Sequence, residues 1–284
     1  MRRIEERQGW LAALPLLLTL GLIFLAPLIV IALFSIMPPK VFTLAHLPSF
    51  ENFWTFLTQG YYRSLFWSLG MALAATLILL VICYPLAYAM AKLFKRFTLI
   101  ITIAVVVTLF VSENIRLFGW VLTLMKGGMI LGHLKAWTGL EMDGGLYNVP
   151  VIIFGLVYAY FPFMLFPMVQ GIAMVPDDVR QAASDLGAGW RTILIEIDIP
   201  LAMPGIVVGS LLTFVLAAGA MAESKLLGGQ AVIVMADEIE TAFTYGQNWP
   251  LGSALAMILI IIIGGIATLA LSRVDLDSIM GRRG

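Results

Sequence analysis

The feature that most constrains this chain is a set of long stretches without any charged residue. Five stretches contain no Asp, Glu, Lys or Arg, and they lie between Arg7 and Lys40, Arg63 and Lys92, Asp143 and Asp177, Asp198 and Glu223, and Glu240 and Arg273. Each is long enough for a helix of about 20 residues, the length that crosses the hydrocarbon of a bilayer. A sixth span is predicted from about Phe97 to Leu122, which is apolar until Glu113 and Arg116.

Composition points to the same class. The 284 residues are 61% hydrophobic and 12% charged, whereas soluble domains carry about a quarter charged residues. The apolar runs are too long and too uniform for barrel strands. We therefore predict an all-α membrane protein of six transmembrane helices, forming a single transmembrane domain over residues 1–284. The predicted spans are about 10–37, 63–92, 97–122, 148–175, 201–222 and 250–272.

The distribution of Lys and Arg predicts the orientation, because cytoplasmic segments carry an excess of basic residues. One side of the predicted topology holds Arg2, Arg3, Arg7, Lys92, Lys95, Arg96, Arg180, Arg191, Arg273, Arg282 and Arg283. The opposite side holds Lys40, Arg63, Arg116, Lys126, Lys135 and Lys225. Both termini are therefore predicted to be cytoplasmic. The first apolar run is too long for a signal-peptide core, so we expect it to be retained as a span.

A polar stretch between the fourth and fifth spans, residues 176–200, is predicted to form two short helices at the cytoplasmic face. Pro176 suits a first helical turn, and Asp177 or Asp178 is expected to cap it. Gly187 is expected to end the first helix in a left-handed conformation. The second helix is predicted from Trp190 to about Ile197, with an end at Pro200. Its small-residue surface fits either a protein partner or an interfacial loop without one.

Polar groups inside the predicted spans are few, and they are candidates for a pathway. Glu113 and Arg116 share a helical face, and Trp120, four residues further, is placed to stack on Arg116. Charges embedded in a membrane usually line a cavity, although a position at the outer membrane edge is equally compatible with these residues. The fourth span carries further candidates, Tyr158, Tyr160 and Phe163, for which core or lipid packing is the alternative.

Several other classes of function find little support in the sequence. The 17 basic and 17 acidic residues balance, so no nucleic-acid partner is indicated. Cys83 is predicted to be a small buried hydrophobe, and His46 and His133 lack partners at metal-ligand spacing. An intramembrane enzyme would need a Ser/His or paired-Asp constellation in the spans, which is absent. A secondary transporter would show paired broken helices in repeated halves, which the sequence does not indicate.

The polar stretch also resembles a known motif. Gln181-Ala182-Ala183, Gly187 and Ile197-Asp198-Ile199-Pro200 have the spacing of the EAA motif of ABC importer permeases, with Gln181 in place of Glu and Ile199 in place of Leu. Further segments are similar to the spermidine/putrescine type of permease, and to its first subunit in particular. They are "YPLAYAMAK" (84–92), "RLFGW" (116–120), "YFPFMLFPM" (160–168), "LLGG" (226–229) and "WPLGSALAM" (249–257).

The resemblance implies a type I ABC importer permease fold in the bacterial inner membrane. It implies three kinds of partner besides the bilayer: a second homologous permease subunit, two ATP-binding subunits and a periplasmic substrate-binding protein. ATP and Mg²⁺ would bind to the partner ATPases, since this chain has no P-loop sequence. The residues implied to couple to the ATPase are Gln181, Ala182, Ala183, Asp185, Leu186, Gly187, Ile197, Ile199 and Pro200.

The substrate implied by the resemblance is a small amino compound of polyamine type. Glu113 and Tyr160 would then offer the carboxylate and aromatic face that ammonium groups prefer. One departure bears on this expectation. Many polyamine-type relatives carry Gly-Glu-Phe where this chain has Gly219-Ala220-Met221, and here the acid appears later, as Glu223. Relatives in the same subfamily that carry opines or aminophosphonates therefore remain an alternative at this point.

Overall fold

The computed structural model describes residues 14–43, 46–139 and 145–272, and all regular structure in this part of the chain is helical. The first four residues of the predicted first span, 10–13, lie outside it. In chain order the helices are α1 (Leu14–Ser35), α2 (Glu51–Thr58), α3 (Tyr61–Leu93), α4 (Lys95–Leu109), α5 (Glu113–Leu124), α6 (Met129–Thr138), α7 (Val149–Ala173), α8 (Asp177–Asp185), α9 (Trp190–Ala218), α10 (Ala222–Leu226), α11 (Met235–Phe243) and α12 (Trp249–Leu271).

Five of these helices, α1, α3, α7, α9 and α12, are long and apolar enough to cross a membrane. The pair α4 and α5 passes the same test together, so the predicted six spans are reached when this pair counts as one. The predicted third span, about 97–122, is broken in the structure, because α4 and α5 meet at an angle of 93°. The break falls where the apolar run ends at Ser112, whose backbone is extended. The polar groups that follow then contact protein instead of hydrocarbon.

The chain divides into two compact units, Met1–Tyr62 with Asp237–Ile261 and Arg63–Ala236 with Ile262–Gly284. In the first unit the ring of Trp249 packs edge-on against Phe34 and Phe42, with centroid distances of 6.2 and 5.5 Å. The backbone N–H of Lys40 also donates to Asn248 Oδ1 at 3.0 Å. These contacts join the segment after α1 to the start of α12.

The core of the second unit lies around α7, which packs along α9 and α3. Its largest fully buried side chains include Leu79 from α3 and Met164, Leu165 and Ile172 from α7. Cys83 is fully buried in the same cluster, as predicted for a small hydrophobe. Because α7 has buried residues on most of its length, it is the central helix of this unit.

A close crossing of α7 and α9 depends on two glycines. A Cβ atom added to Gly205 would lie 2.6 Å from the Cα atom of Gly171 and would also meet the carbonyl oxygen of Pro167. A Cβ atom on Gly171 would lie 2.8 Å from the Cα atom of Gly205. Backbone is on both sides of this contact, so no side chain can move away to make room. Small residues at such crossings allow the close packing that holds helices together in membranes.

The predicted helix end at Pro200 is wrong. Helix α9 continues from Trp190 through Pro200 and Pro204 to Ala218, so the fifth span begins earlier than residue 201 and ends before residue 222. A proline inside a helix lacks an N–H donor, and its ring crowds the carbonyl group four residues earlier. Here a π-helical turn, Ile193–Asp198, directly precedes Pro200. Its wider turn shifts the hydrogen-bond register there, which lets the helix continue.

We predict that Gly205→Ala destabilises the chain by about 1–3 kcal/mol, the range typical of overpacking in a tight core. Gly265→Ala in α12 is the matched control, because nothing lies within 4 Å of an added Cβ atom there. The measurement is the thermal unfolding midpoint of the protein purified in detergent. Equal midpoints for the two variants would contradict the importance of this crossing.

Candidate functional site

The exposed helix α8 is the first candidate site, and its ends are well defined. Pro176 precedes it with extended backbone (ψ 132°), and Gly187 follows it with a φ of +87°. The N–H of Ala188 donates to the carbonyl oxygen of Ala183 at 3.0 Å, and the N–H of Gly187 donates to the carbonyl oxygen of Ser184 at 2.9 Å. These two bonds form a Schellman motif. The predicted end of the helix at Gly187 is thus confirmed in position and conformation.

The residue at the N-cap position of α8 is Pro176, and Asp177 and Asp178 lie in the first turn of the helix. The carboxylate of Asp177 accepts a hydrogen bond from Lys92 Nζ at 2.7 Å. Lys92 Nζ also donates to the carbonyl oxygen of Val175 at 2.6 Å. The Lys92 side chain is only 4% exposed, so this lysine fastens the end of α3 to the start of α8.

Arg180 forms a second tether between α8 and the transmembrane helices. Its Nε atom lies 3.0 Å from Asp198 Oδ1, and Asp198 is 1% exposed in the π-helical turn of α9. The guanidinium also lies 5.5 Å from the centroid of the Tyr88 ring and donates to the Tyr88 hydroxyl. One residue of α8 therefore contacts both α3 and α9. In the sequence, Arg180 and Lys92 indicated only the orientation of the chain. Nothing in it indicated Asp198 and Asp177 as their partners.

The predicted coupling residues fall into two groups by their surroundings. On α8 and its end, Gln181, Ala182, Asp185, Leu186 and Gly187 are exposed and Ala183 is half-buried. Leu186 is 90% exposed, which leaves a large apolar side chain in contact with solvent. On α9, Ile197 and Ile199 pack against the core, and Pro200 is exposed. The outer face of this site is thus α8, and its inner face is the start of α9.

The second candidate site is a charge cluster formed by α5, α7 and α10. Along α5, Glu113, Arg116, Leu117 and Trp120 follow the spacing of one helical face, and this face packs toward α7 and α10. The hydroxyl of Tyr160 donates to Glu113 Oε1 at 3.4 Å. Glu113 and Arg116 are both half-buried against these helices.

The predicted stacking of Trp120 on Arg116 is wrong. The guanidinium of Arg116 lies over Tyr158, 5.5 Å from the ring centroid. Trp120 makes edge-on ring contacts with Phe154 at 4.7 Å and with Tyr158 at 5.5 Å. Tyr158 of α7, and not Trp120 of α5, is therefore the ring over which the Arg116 guanidinium lies. Phe163 is partly exposed at the border of this cluster, with its ring 6.3 Å from that of Tyr160.

Glu223 on α10 is the most buried charged residue of this cluster, at 1% exposure. No N–H or O–H group among the described residues donates to its carboxyl oxygens, and its side chain interacts with that of Glu113. The pKa of Glu223 is raised, first by burial and then by the negative charge of Glu113. Gly155 packs against Leu227 and Glu223, because a Cβ atom there would lie 2.6 Å from Leu227 Cδ1 and 3.0 Å from Glu223 Cγ. The sequence spacing indicated Glu223 as a candidate but not its contact with α5, and Gly155 was missed.

The two histidines are exposed, and Nδ1 of His133 lies 2.6 Å from the carbonyl oxygen of Met129 in its own helix. Among the described residues no group of three His, Cys, Asp or Glu side chains is arranged to hold a metal ion.

Known proteins resemble this chain in sequence and in fold. Residues 85–274 match the family of binding-protein-dependent transport system inner membrane components. The spermidine/putrescine transport system permease protein PotB of Escherichia coli (strain K12) is 34% identical over 217 residues, which are 75% of this chain and 78% of that protein. PotB of Haemophilus influenzae is 33% identical over 216 residues, 73% of each chain.

A solved structure supports the fold. In the crystal structure of a bacterial ABC transporter involved in the import of the acidic polysaccharide alginate, one chain matches with a TM-score of 0.75 and 19% identity. The match covers 96% of this chain and 98% of that chain. The predicted ABC importer permease fold is therefore confirmed. This chain belongs to the binding-protein-dependent transport system inner membrane components and is a multi-pass permease subunit of an ABC transporter.

Proposed function

We propose that this chain is the pathway subunit of an ATP-driven importer for a small, polyamine-like amino compound. The observation that carries the proposal is the exposed helix α8, held by two ion pairs to transmembrane helices α3 and α9. The permease relatives named for spermidine and putrescine support the substrate class. Residues 1–284 would form one transmembrane permease domain, with residues 176–200 and both termini in the cytoplasm.

The proposed complex contains a second homologous permease subunit, two ATP-binding subunits and a periplasmic substrate-binding protein. ATP and Mg²⁺ bind to the ATPase pair, because this chain lacks a P-loop sequence. When ATP closes the two ATPases, each one moves the helix that docks on it. For this chain that helix is α8, whose exposed Leu186 fits an apolar groove on the ATPase surface.

Movement of α8 passes to the membrane through its ion pairs. Lys92 connects α8 to α3, and Arg180 connects it to Asp198 in α9. Both pairs include a side chain that is at most 4% exposed, so water competes with them weakly. A displacement of α8 therefore tilts α3 and α9 together instead of bending a loose loop. This tilt alternates the pathway between its inward-facing and outward-facing states.

The residues proposed to line the pathway are those of the charge cluster and its border: Glu113, Arg116, Trp120, Tyr158, Tyr160, Phe163 and Glu223. Carboxylates and aromatic faces are the groups that attract organic ammonium ions. Burial strengthens both interactions, since the effective dielectric constant is lower than in water.

The proposal predicts that uptake needs both ATP and the binding protein. In proteoliposomes with the complete importer, putrescine should accumulate when ATP is enclosed and the loaded binding protein is outside. Neither a proton nor a sodium gradient should replace ATP. Uptake driven by an ion gradient in ATP-free vesicles would overturn the proposal.

A second prediction concerns docking at the end of α8. Nothing lies within 4 Å of a Cβ atom added to Gly187, so a large side chain there fits this chain and clashes only with a partner. Gly187→Trp should retain ATP hydrolysis but lower putrescine uptake per ATP by about tenfold or more, a difference of at least 1.4 kcal/mol. Gly187→Ala is the control, because it carries the same backbone strain without the bulk. Coupled uptake by the Trp variant would exclude the docking role.

A third prediction tests the tether between α8 and α9. Arg180→Gln leaves the buried Asp198 carboxylate without its cation, which typically costs about 3–5 kcal/mol. The double variant Arg180→Gln with Asp198→Asn removes the uncompensated charge and should regain part of the lost stability. Arg191→Gln, at an exposed position beside Trp190, is the control. Thermal unfolding of the purified complex measures all of these, and a double variant no more stable than Arg180→Gln would contradict the pairing.

A further inference from the structure

The two acids of the charge cluster are an unusual pair. Glu223 is 1% exposed, and no N–H or O–H group among the described residues donates to its carboxyl oxygens. The acid that acts on it most strongly is Glu113, which is itself half-buried. Two neighbouring carboxyl groups in a low dielectric repel each other when both are ionised. The pair is therefore less stable with both acids ionised than with a proton on one of them.

The surroundings keep space for the Glu223 side chain. Gly155 faces its Cβ and Cγ atoms, at 3.4 and 3.0 Å from where a glycine Cβ would stand. A larger residue at position 155 would crowd Leu227 Cδ1 first, at 2.6 Å, and then the Glu223 side chain. When both acids are ionised, Glu223 has no N–H or O–H donor, and a buried carboxylate without one costs free energy unless a ligand supplies the donor.

Charge and donor number indicate which ligand fits. With both acids ionised, Glu113 and Glu223 exceed the single guanidinium of Arg116 by one negative charge. Arg116 is directed to the ring of Tyr158, so an additional cation is free to approach the acids. A primary ammonium group has three N–H donors, and three oxygen-bearing side chains are available: Glu113, Glu223 and Tyr160, whose hydroxyl already lies 3.4 Å from Glu113.

We propose that Glu113, Glu223 and Tyr160 form a binding site for one primary ammonium group of the transported compound. The inference rests on the proposed import function and adds the place and the stoichiometry of recognition. The three residues come from α5, α10 and α7, so relative movement of these helices opens or closes the site. Half-buried Glu113 is the accessible side, and Glu223 is the inner side.

Binding at this site exchanges a proton for the ammonium ion. Without cargo, burial and the charge of Glu113 keep a proton on Glu223, as the raised pKa of Glu223 implies. When the ammonium ion enters, the O–H bond of Glu223 breaks, its proton passes to water, and the carboxylate accepts an N–H hydrogen bond. The other groups that face Glu223 are Arg116 and Glu113 from α5 and Tyr160 from α7. Cargo binding should therefore strengthen as pH rises from 6 to 8.

The test uses the complete importer in nanodiscs without binding protein, with radiolabelled putrescine as the probe. Glu223→Gln and Glu113→Gln should each weaken equilibrium binding by about tenfold or more, the loss typical of a charge-assisted pair. Butylamine, which has one ammonium group, should compete with putrescine, and neutral 1,4-butanediol should not. The pH dependence should be lost in Glu223→Gln. Glu51→Gln in exposed helix α2 is the matched control.

The outcomes separate the two proposals. If the wild-type importer takes up putrescine with ATP and binding protein but both Gln variants bind it as wild type does, the ammonium site is wrong and the import function stands. The same holds if the importing wild type binds no putrescine in nanodiscs. If the wild type imports no polyamine under any of these conditions, the proposed function itself fails. Size-exclusion chromatography of the Gln variants in nanodiscs checks that the complex has assembled.

Discussion

Hydrocarbon cannot solvate a charge, and this constraint decides where every polar group of the chain lies. In a membrane an ionised side chain must find a partner inside the protein or reach the interface. The chain meets this demand in two ways. Near α8, Asp198 is buried against Arg180, and Lys92 is buried against Asp177. In the cluster around α5, Glu223 is buried without a hydrogen-bond donor among the described residues. The first arrangement pairs each buried charge with an opposite charge of the chain, and for the second we propose a cation from outside.

The spans and the end of α8 were predictable because their signals are local. A run without charges that is long enough to cross the hydrocarbon indicates a span. A glycine such as Gly187 adopts a positive φ at low cost, which indicates the end of a helix. The spacing of Glu113, Arg116 and Trp120 likewise placed three residues correctly on one helical face. The family motif added the expectation of a docking helix, and the exposure of Leu186 and its neighbours fits that expectation.

The remaining features depend on contacts that are distant in sequence. Nothing near Arg180 indicates that its partner is Asp198 on another helix, and nothing near Arg116 indicates that Tyr158 replaces Trp120. The bend at Ser112 depends on where the polar groups of α5 find partners. Composition alone therefore predicted one span over about 97–122 and did not indicate the bend. Continuity through Pro200 depends on a π-helical turn, which pattern rules for proline do not anticipate. These differences arise where tertiary contacts decide between locally acceptable conformations.

The two candidate sites are joined by one helix. Asp198 lies in the first third of α9, and Glu223 follows the far end of this helix after the short segment 219–221. The 20 residues of Ile199–Ala218 span about 30 Å at 1.5 Å per residue. Between these ends, Gly205 fixes α9 closely against Gly171 of α7. In the proposed mechanism that crossing acts as a pivot, because backbone packs directly on backbone and resists sliding. A pull on Asp198 through Arg180 then moves α10, and with it Glu223, relative to Tyr160 on α7. ATP-driven movement of α8 would thus change the geometry of the ammonium site without any contact between the ATPase and the cargo.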